Sequence, residues 1–357
     1  MEFAYHSEQE KKIILELREF KKDMPAFLED FFIFLNNEVS AKTRLGYARD
    51  IKIFFNYLAA EERDFPTDIT KFDIDTLRRV DSKILNRYVD YLSYYLRDVE
   101  GKNDKSKTVE TFNHDRGISR KLSAIRKLFK FYYQQEELEA NPTELINNPK
   151  IHEKSIIRLE PDEVAKLLDA VDSGEGLTER QAKYHEFTKL RDAAIITMLL
   201  GTGMRVSECV GIDMQHIDFE NNAIIIVRKG GKEQIIYFGD EVEDALNNYL
   251  DVREDMETLP GSENALFLSM QKKRIGVRAV EKLVKKYSSL VTSIKKITPH
   301  KLRSTYGTNL YRQTTDIYLV ADVLGHSDVN TTKKHYADMA DSNRRRAANA
   351  VKLRKDD

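Results

Sequence analysis

The sequence predicts a mainly α protein of two domains: a helical N-terminal one, and a C-terminal one that mixes helices with a small three-stranded antiparallel sheet. Three observations predict it. A chain of 357 residues exceeds what one hydrophobic core usually organises. Apolar residues recur at helical spacing through the first half, and the second half carries a single clear β signal, Ala223–Phe238. With 33% charged and 41% apolar residues the composition is that of an ordinary globular protein, which excludes a wholly disordered chain and a membrane protein. No apolar run approaches the roughly 18 residues that a membrane span needs. The first residues, MEFAYHSEQEKK, are acidic where a signal peptide would be basic and then apolar. Cys209 is the only cysteine, so no internal disulfide framework and no Cys-based zinc site is expected, and the cytoplasm is the expected compartment.

In Thr43–Leu58 the residues Leu45, Tyr47, Ile51, Phe54, Phe55 and Leu58 mark a helix that Ser40 or Thr43 can cap. A second helix is expected over Ser82–Arg97, and polar Val99–Arg116, with Gly101, reads as a loop. Ile118–Gln135 alternates Leu122, Ile125, Leu128, Phe129 and Tyr132 with basic residues, so one face is core and the other a candidate nucleic-acid surface. Asn141-Pro142 and Asn148-Pro149 break the helical run. The expected organisation is an extension over 1–24, a helical domain over 25–147, a linker over 148–158, a second domain over 159–336 and a tail over 337–357. Glu160-Pro161-Asp162-Glu163 starts the second domain's first helix, with proline and carboxylates in its first turn. Two apolar runs around Lys229-Gly230-Gly231-Lys232 read as a β-hairpin, and Ile212–Phe219 as a third short strand.

A net charge of −1 is not the basic footprint of a DNA-binding protein, but its distribution is uneven. Arg116–Gln135 holds six Lys or Arg and no carboxylate, and Lys272–Arg303 holds eleven against Glu281 alone. Arg116, Arg120, Lys121, Arg126, Lys127, Lys272, Lys273, Arg274 and Arg278 are therefore candidates for contacting DNA; solvated helix faces would look the same.

Four segments of the second half break local rules in a way that a bound anion would explain. Thr298-Pro299-His300-Lys301-Leu302-Arg303 reads as a helix start with Thr298 as cap, yet three basic residues sit at its positive end. A phosphate held there by backbone N–H groups and side-chain cations accounts for them. His300 and Arg303, three apart, share a face. Gly201-Thr202-Gly203-Met204-Arg205 follows the apolar helix Ala193–Leu200 and sets Arg205 at the start of another, with Glu208 one turn on to brace the guanidinium; a purely structural ion pair reads the same way. Lys229 and Lys232 stand on a glycine-rich turn. In Leu324-Gly325-His326, Gly325 ends one helix and Asn330 can cap the next, which carries Tyr336.

In combination, Arg205 within GTGMRVSE, Lys229 in a β-hairpin, His300-Lys-Leu-Arg303, Leu-Gly-His326 and Tyr336 resemble the tyrosine recombinase (integrase) family, in its Xer-like branch. Tyr336 stands one residue farther from His326 than in many Xer-like members, a spacing that some integrases of mobile elements share. The resemblance implies a helical, SAM-like core-binding domain followed by a catalytic domain of the DNA breaking-rejoining type. It also implies a chemistry. Tyr336 would attack the scissile phosphate, Arg205 and Arg303 would clamp its oxygens, and Lys229 would protonate the 5′-hydroxyl leaving group. His300 would assist proton transfer, His326 would hydrogen-bond the phosphate, and Glu208 would orient Arg205 or His300. No cofactor, metal or ATP is implied. Double-stranded DNA with inverted repeats and a homotetramer at the synapse are, with 337–357 docking onto a neighbouring subunit. A type IB topoisomerase and a non-catalytic DNA-binding accessory protein are the competing readings.

Overall fold

The computed structural model describes residues 4–100, 106–150, 156–228, 231–326 and 328–336, and the chain divides into two compact units, Met1–Glu153 and Lys154–Asp357. The first unit runs through α1 (Ala4–Lys21), α2 (Leu28–Glu38), α3 (Ala41–Glu61), α4 (Ile74–Arg78), α5 (Ser82–Ser93), β1 (Tyr94–Glu100), β2 (Ser106–Phe112) and α6 (Asp115–Gln134). Ser40 caps α3 through its side chain, which accepts from the backbone N–H of Thr43 at 3.4 Å. Behind that cap, Leu45, Ile51, Phe54, Phe55 and Leu58 form one buried stripe. α6 answers with Leu122, Ile125, Leu128, Phe129 and Tyr132, and α5 adds Tyr88, whose ring lies 4.8 Å from that of Phe54. This is an aromatic core. Each such side chain contributes roughly 1.5–3 kcal/mol by leaving water. Asp50 is buried among them and accepts from both terminal nitrogens of Arg120, one at 2.8 Å.

Two expectations for this unit need correction. The helix expected over Ser82–Arg97 stops at Ser93, and the polar stretch expected as a loop is one arm of an antiparallel hairpin in which Tyr94 faces Phe112 and Glu100 faces Ser106. The reason lies in the strands' side chains. Tyr95 is buried and stacks on Tyr91 of α5 at 5.2 Å, while Thr108, Val109 and Thr111 are β-branched; the polar, glycine-containing sequence between the strands hides this alternation in a sequence window.

The second unit contains α7 (Pro161–Ser173), α8 (Glu179–Thr202), α9 (Val206–Val210), β3 (Ile217–Asp218), β4 (Ala223–Val227), β5 (Glu233–Tyr237), α10 (Asp240–Arg253), α11 (Val277–Val291), α12 (Pro299–Thr314), α13 (Ile317–Leu324) and α14 (Val329–Tyr336). The sheet order is β3-β4-β5, antiparallel throughout, with Ile224 opposite Ile236. Leu167, Ile195, Leu199, Ile224, Leu246, Val280 and Leu302 make its core. A buried polar knot ties α8 to α11: Asp192 accepts from Thr188, Arg191, Lys286 and Tyr287 at 2.6–3.1 Å. Pro299 opens α12 as expected, but Thr298 makes no side-chain cap. Likewise Asp328, not Asn330, supplies the cap of α14, accepting from the Asn330 N–H at 2.9 Å. No helix among the described residues is long and apolar enough to cross a membrane.

Candidate active site

α8 ends at Gly203, whose φ of 62° only glycine adopts without strain and where an added Cβ would collide with the Tyr306 ring. The tight turn leads directly to Arg205, the residue before α9. The Glu208 carboxylate holds Arg205 twice, accepting from its backbone N–H at 2.7 Å and from Nη1 at 2.8 Å. Glu208 is buried, so its charge needs these partners, whereas the Arg205 side chain stays 38% exposed and can meet a ligand.

The second anchor is the end of α13. Gly325 takes the left-handed conformation at φ 61° and stops the helix, which leaves the carbonyls of Val323, Leu324 and Gly325 without helical partners. Three guanidinium groups from distant stretches of chain fill that need. Arg205 donates to Gly325 O at 3.2 Å, and Arg303 donates to Leu324 O and, at 2.6 Å, to Gly203 O. Arg228 donates to Leu324 O and Val323 O, both at 2.8 Å. The negative end of α13 and the Glu208 carboxylate, which lies 3.9 Å from Arg228, offset the mutual repulsion of these cations. Burial pulls the Arg228 guanidinium below the ordinary arginine range and Arg205 adds to this, while Glu208 opposes it.

The chain leaving Gly325 brings His326 to the same place, half-buried, with Nδ1 at 2.7 Å from the Thr332 hydroxyl of α14. His300 is exposed on the first turn of α12, on the turn that also carries buried Arg303. Tyr336 closes α14. The structure thus gathers Arg205, Glu208, Arg303 and His326 around one helix end. Lys229 and the tail over 337–357 lie outside the described residues.

Sequence reasoning missed Arg228. It stands one residue before Lys229, outside the four residues that read as the turn. The available signal was the strand period of two: Ile224, Ile226 and Arg228 share a face, and all three are buried.

The candidate DNA-contacting residues divide. Arg116, Lys273 and Arg278 are exposed. Several others are committed to intramolecular bonds. Lys121 is buried with its ammonium on Asn113 at 2.7 Å, Arg126 donates to Ile146 O and Asn148, and Arg120 grips Asp50. Lys127 pairs with Glu38 at 3.0 Å, and Lys272 with Glu257. Arg274 donates to Val210 O at 3.1 Å, to Ile212 O at 2.9 Å and to Asp213, which pins the C-terminal end of α9.

The chain is similar to known proteins over most of its length. The model of the phage integrase family matches residues 157–343, more than half of the chain. Tyrosine recombinase XerC of Caldanaerobacter subterraneus is 33% identical over 337 residues, covering 91% of this chain and 86% of that one. Tyrosine recombinase XerS of Streptococcus thermophilus is 31% identical over 346 residues, with 90% and 94% covered. The solved Tn1549 transposon integrase in complex with circular intermediate DNA shares the fold, at a TM-score of 0.60, 20% identity and coverage of 90% and 98%. The chain therefore belongs to the phage integrase family, that of the tyrosine recombinases.

Proposed function

We propose that the chain is a site-specific recombinase that cuts and rejoins double-stranded DNA through a 3′-phosphotyrosyl intermediate on Tyr336. The observation that carries this reading is the convergence of Arg205, Arg303 and His326, drawn from separate stretches of sequence, on the end of α13, from which α14 runs to Tyr336. A phenol with an ordinary pKa near ~10 is a poor nucleophile at neutral pH, so it needs concentrated positive charge beside its target. In the proposed step the Tyr336 oxygen bonds to phosphorus, and the bond to the 5′-oxygen breaks. Lys229 gives that oxygen its proton, and His300 assists removal of the phenol's proton. Arg205 and Arg303 hold the non-bridging oxygens, and His326 donates a further hydrogen bond. The phosphodiester energy is kept in the covalent intermediate, so a 5′-hydroxyl from a second duplex can attack it without ATP.

Exposed Arg116, Lys273 and Arg278 are the basic residues best placed for phosphate contacts. A homotetramer on two synapsed duplexes, docking of the 337–357 tail onto a neighbour and a cytoplasmic location complete the proposal.

The test is covalent capture. Wild-type chain is incubated with a pool of randomised duplexes nicked next to every possible scissile position, so that cleavage releases a short strand and traps the adduct. Recovery of an adduct on a defined sequence supports the reading. A chain that binds DNA and forms no adduct is an accessory protein, and one that relaxes a single supercoiled duplex but never joins two is a topoisomerase.

A further inference from the structure

Thr332 of α14 is fully buried, and its hydroxyl meets His326 Nδ1 at 2.7 Å. Inside a helix, threonine commonly turns its hydroxyl back to the carbonyl four residues earlier. Thr305 and Thr314 of α12 do so, at 2.9 Å to Lys301 O and 2.8 Å to Leu310 O. Thr332 instead reaches out of its helix to the imidazole that follows Gly325.

The histidine is held on its other side as well, since its backbone N–H donates to Ala321 O at 2.9 Å, where α13 stops. The residue is thus fixed between two helices, by its main chain to α13 and by Nδ1 to α14. With Nδ1 taken, a hydrogen bond from the ring to a phosphate oxygen falls to Nε2. A hydroxyl suits that use because it both donates and accepts. It donates to Nδ1 of the neutral ring, which puts the ring's hydrogen on Nε2, and it accepts from Nδ1 of the protonated ring. In both cases Nε2 carries a hydrogen, and a phosphate oxygen, itself an acceptor, selects these states. A carboxylate in the same place would only accept, drawing the neutral ring's hydrogen to Nδ1 and leaving Nε2 bare.

We propose that Thr332 is a positioning residue that holds the His326 ring by Nδ1, so that Nε2 is presented to the scissile phosphate as a hydrogen-bond donor. The inference rests on the recombinase reading above and adds to it which nitrogen of His326 serves and what sets it. The hydroxyl, not the methyl group, carries the role.

The experiment follows single-turnover adduct formation, at saturating protein, on a suicide duplex of the sequence captured by wild-type chain. The proteins are wild type, Thr332→Val, Thr332→Ala, Thr332→Ser, His326→Ala and the double variant Thr332→Val, His326→Ala. The rate constant, unlike the amplitude, is independent of the fraction folded, so a partly unfolded variant still reports. Valine keeps the volume and deletes the hydroxyl, and should slow the reaction by about tenfold or more, while serine should stay within about threefold of wild type. In the His326→Ala background valine should add less than about a further twofold, because the hydroxyl has no ring left to hold. If valine leaves no folded protein, alanine against serine isolates the same hydroxyl. Slowing by serine equal to that by valine or alanine would make Thr332 a packing residue. Equal slowing by valine with and without His326 would show it acting elsewhere on α14. Either result overturns the inference, as does no slowing by valine or by His326→Ala. If wild-type chain captures no duplex at all, the recombinase reading falls and takes this inference with it, a result distinct from the others.

Discussion

Glu208 carries a buried carboxylate between two guanidinium groups, Arg205 at 2.8 Å and Arg228 at 3.9 Å. Removing one member of such a group leaves the others' charge uncompensated, so Glu208→Gln should destabilise the second unit by about 3 kcal/mol. Urea denaturation followed by circular dichroism measures this, and a change below about 0.5 kcal/mol would mean that the pair is not a brace. Cys209, next in the chain, is fully buried, and burial pushes its thiol up to about 12. Its alkylation by iodoacetamide in the native chain should therefore stay slow from about pH 7 to pH 9, the range in which an ordinary thiol near ~8.5 becomes reactive, and become rapid on unfolding. Some of these residues were legible in the sequence. Glu208 follows Arg205 at a spacing that brings side chains together, and Gly325 precedes His326 as a helix stop. Arg228, Lys121 and Arg274 were not, because a cation aimed inward and one aimed at solvent look alike until the carbonyls that receive them are placed by the fold.

Among elements, the end of α13 does the most for the site. Gly325→Ala would force a Cβ into the left-handed region and against Arg228, so a loss of about 1–3 kcal/mol is expected, together with weaker DNA cleavage. A melting curve within error of wild type would show that the turn is not held as described. The helices were the readable elements, since α3 and α6 show their buried stripes in the spacing of aromatic and aliphatic residues. The β1–β2 hairpin was not readable. Its stabilising contact, Tyr95 on Tyr91, joins the strand pair to the helix before it, and a tertiary contact of that kind overrides what the polar sequence suggests locally. The cap of α14 was misplaced by two residues because Asp328 and Asn330 are both good caps, and only the chain's exit from Gly325 decides between them.

At the scale of the molecule, each of the two units has buried apolar residues of its own, strongly aromatic in Met1–Glu153 and mostly aliphatic, with Tyr249, Phe267 and Tyr287, in Lys154–Asp357. The two expressed separately should each melt cooperatively, as scanning calorimetry would record; a broad, non-cooperative trace for either would mean that it depends on the other. The near-neutral net charge conceals how positive charge is used. Part of it is internal, as in Arg274 and Lys121, and part is exposed, as in Arg116 and Arg278, a division that no composition count reveals. The central claim concerns one oxygen atom. The measurement that bears on it most directly is mass spectrometry of the protease-digested covalent adduct, which locates the nucleotide on a peptide. A nucleotide attached at Tyr336, and loss of the adduct with retained DNA binding in Tyr336→Phe, is the predicted result. A nucleotide on any other residue, or an undiminished adduct in Tyr336→Phe, would contradict it.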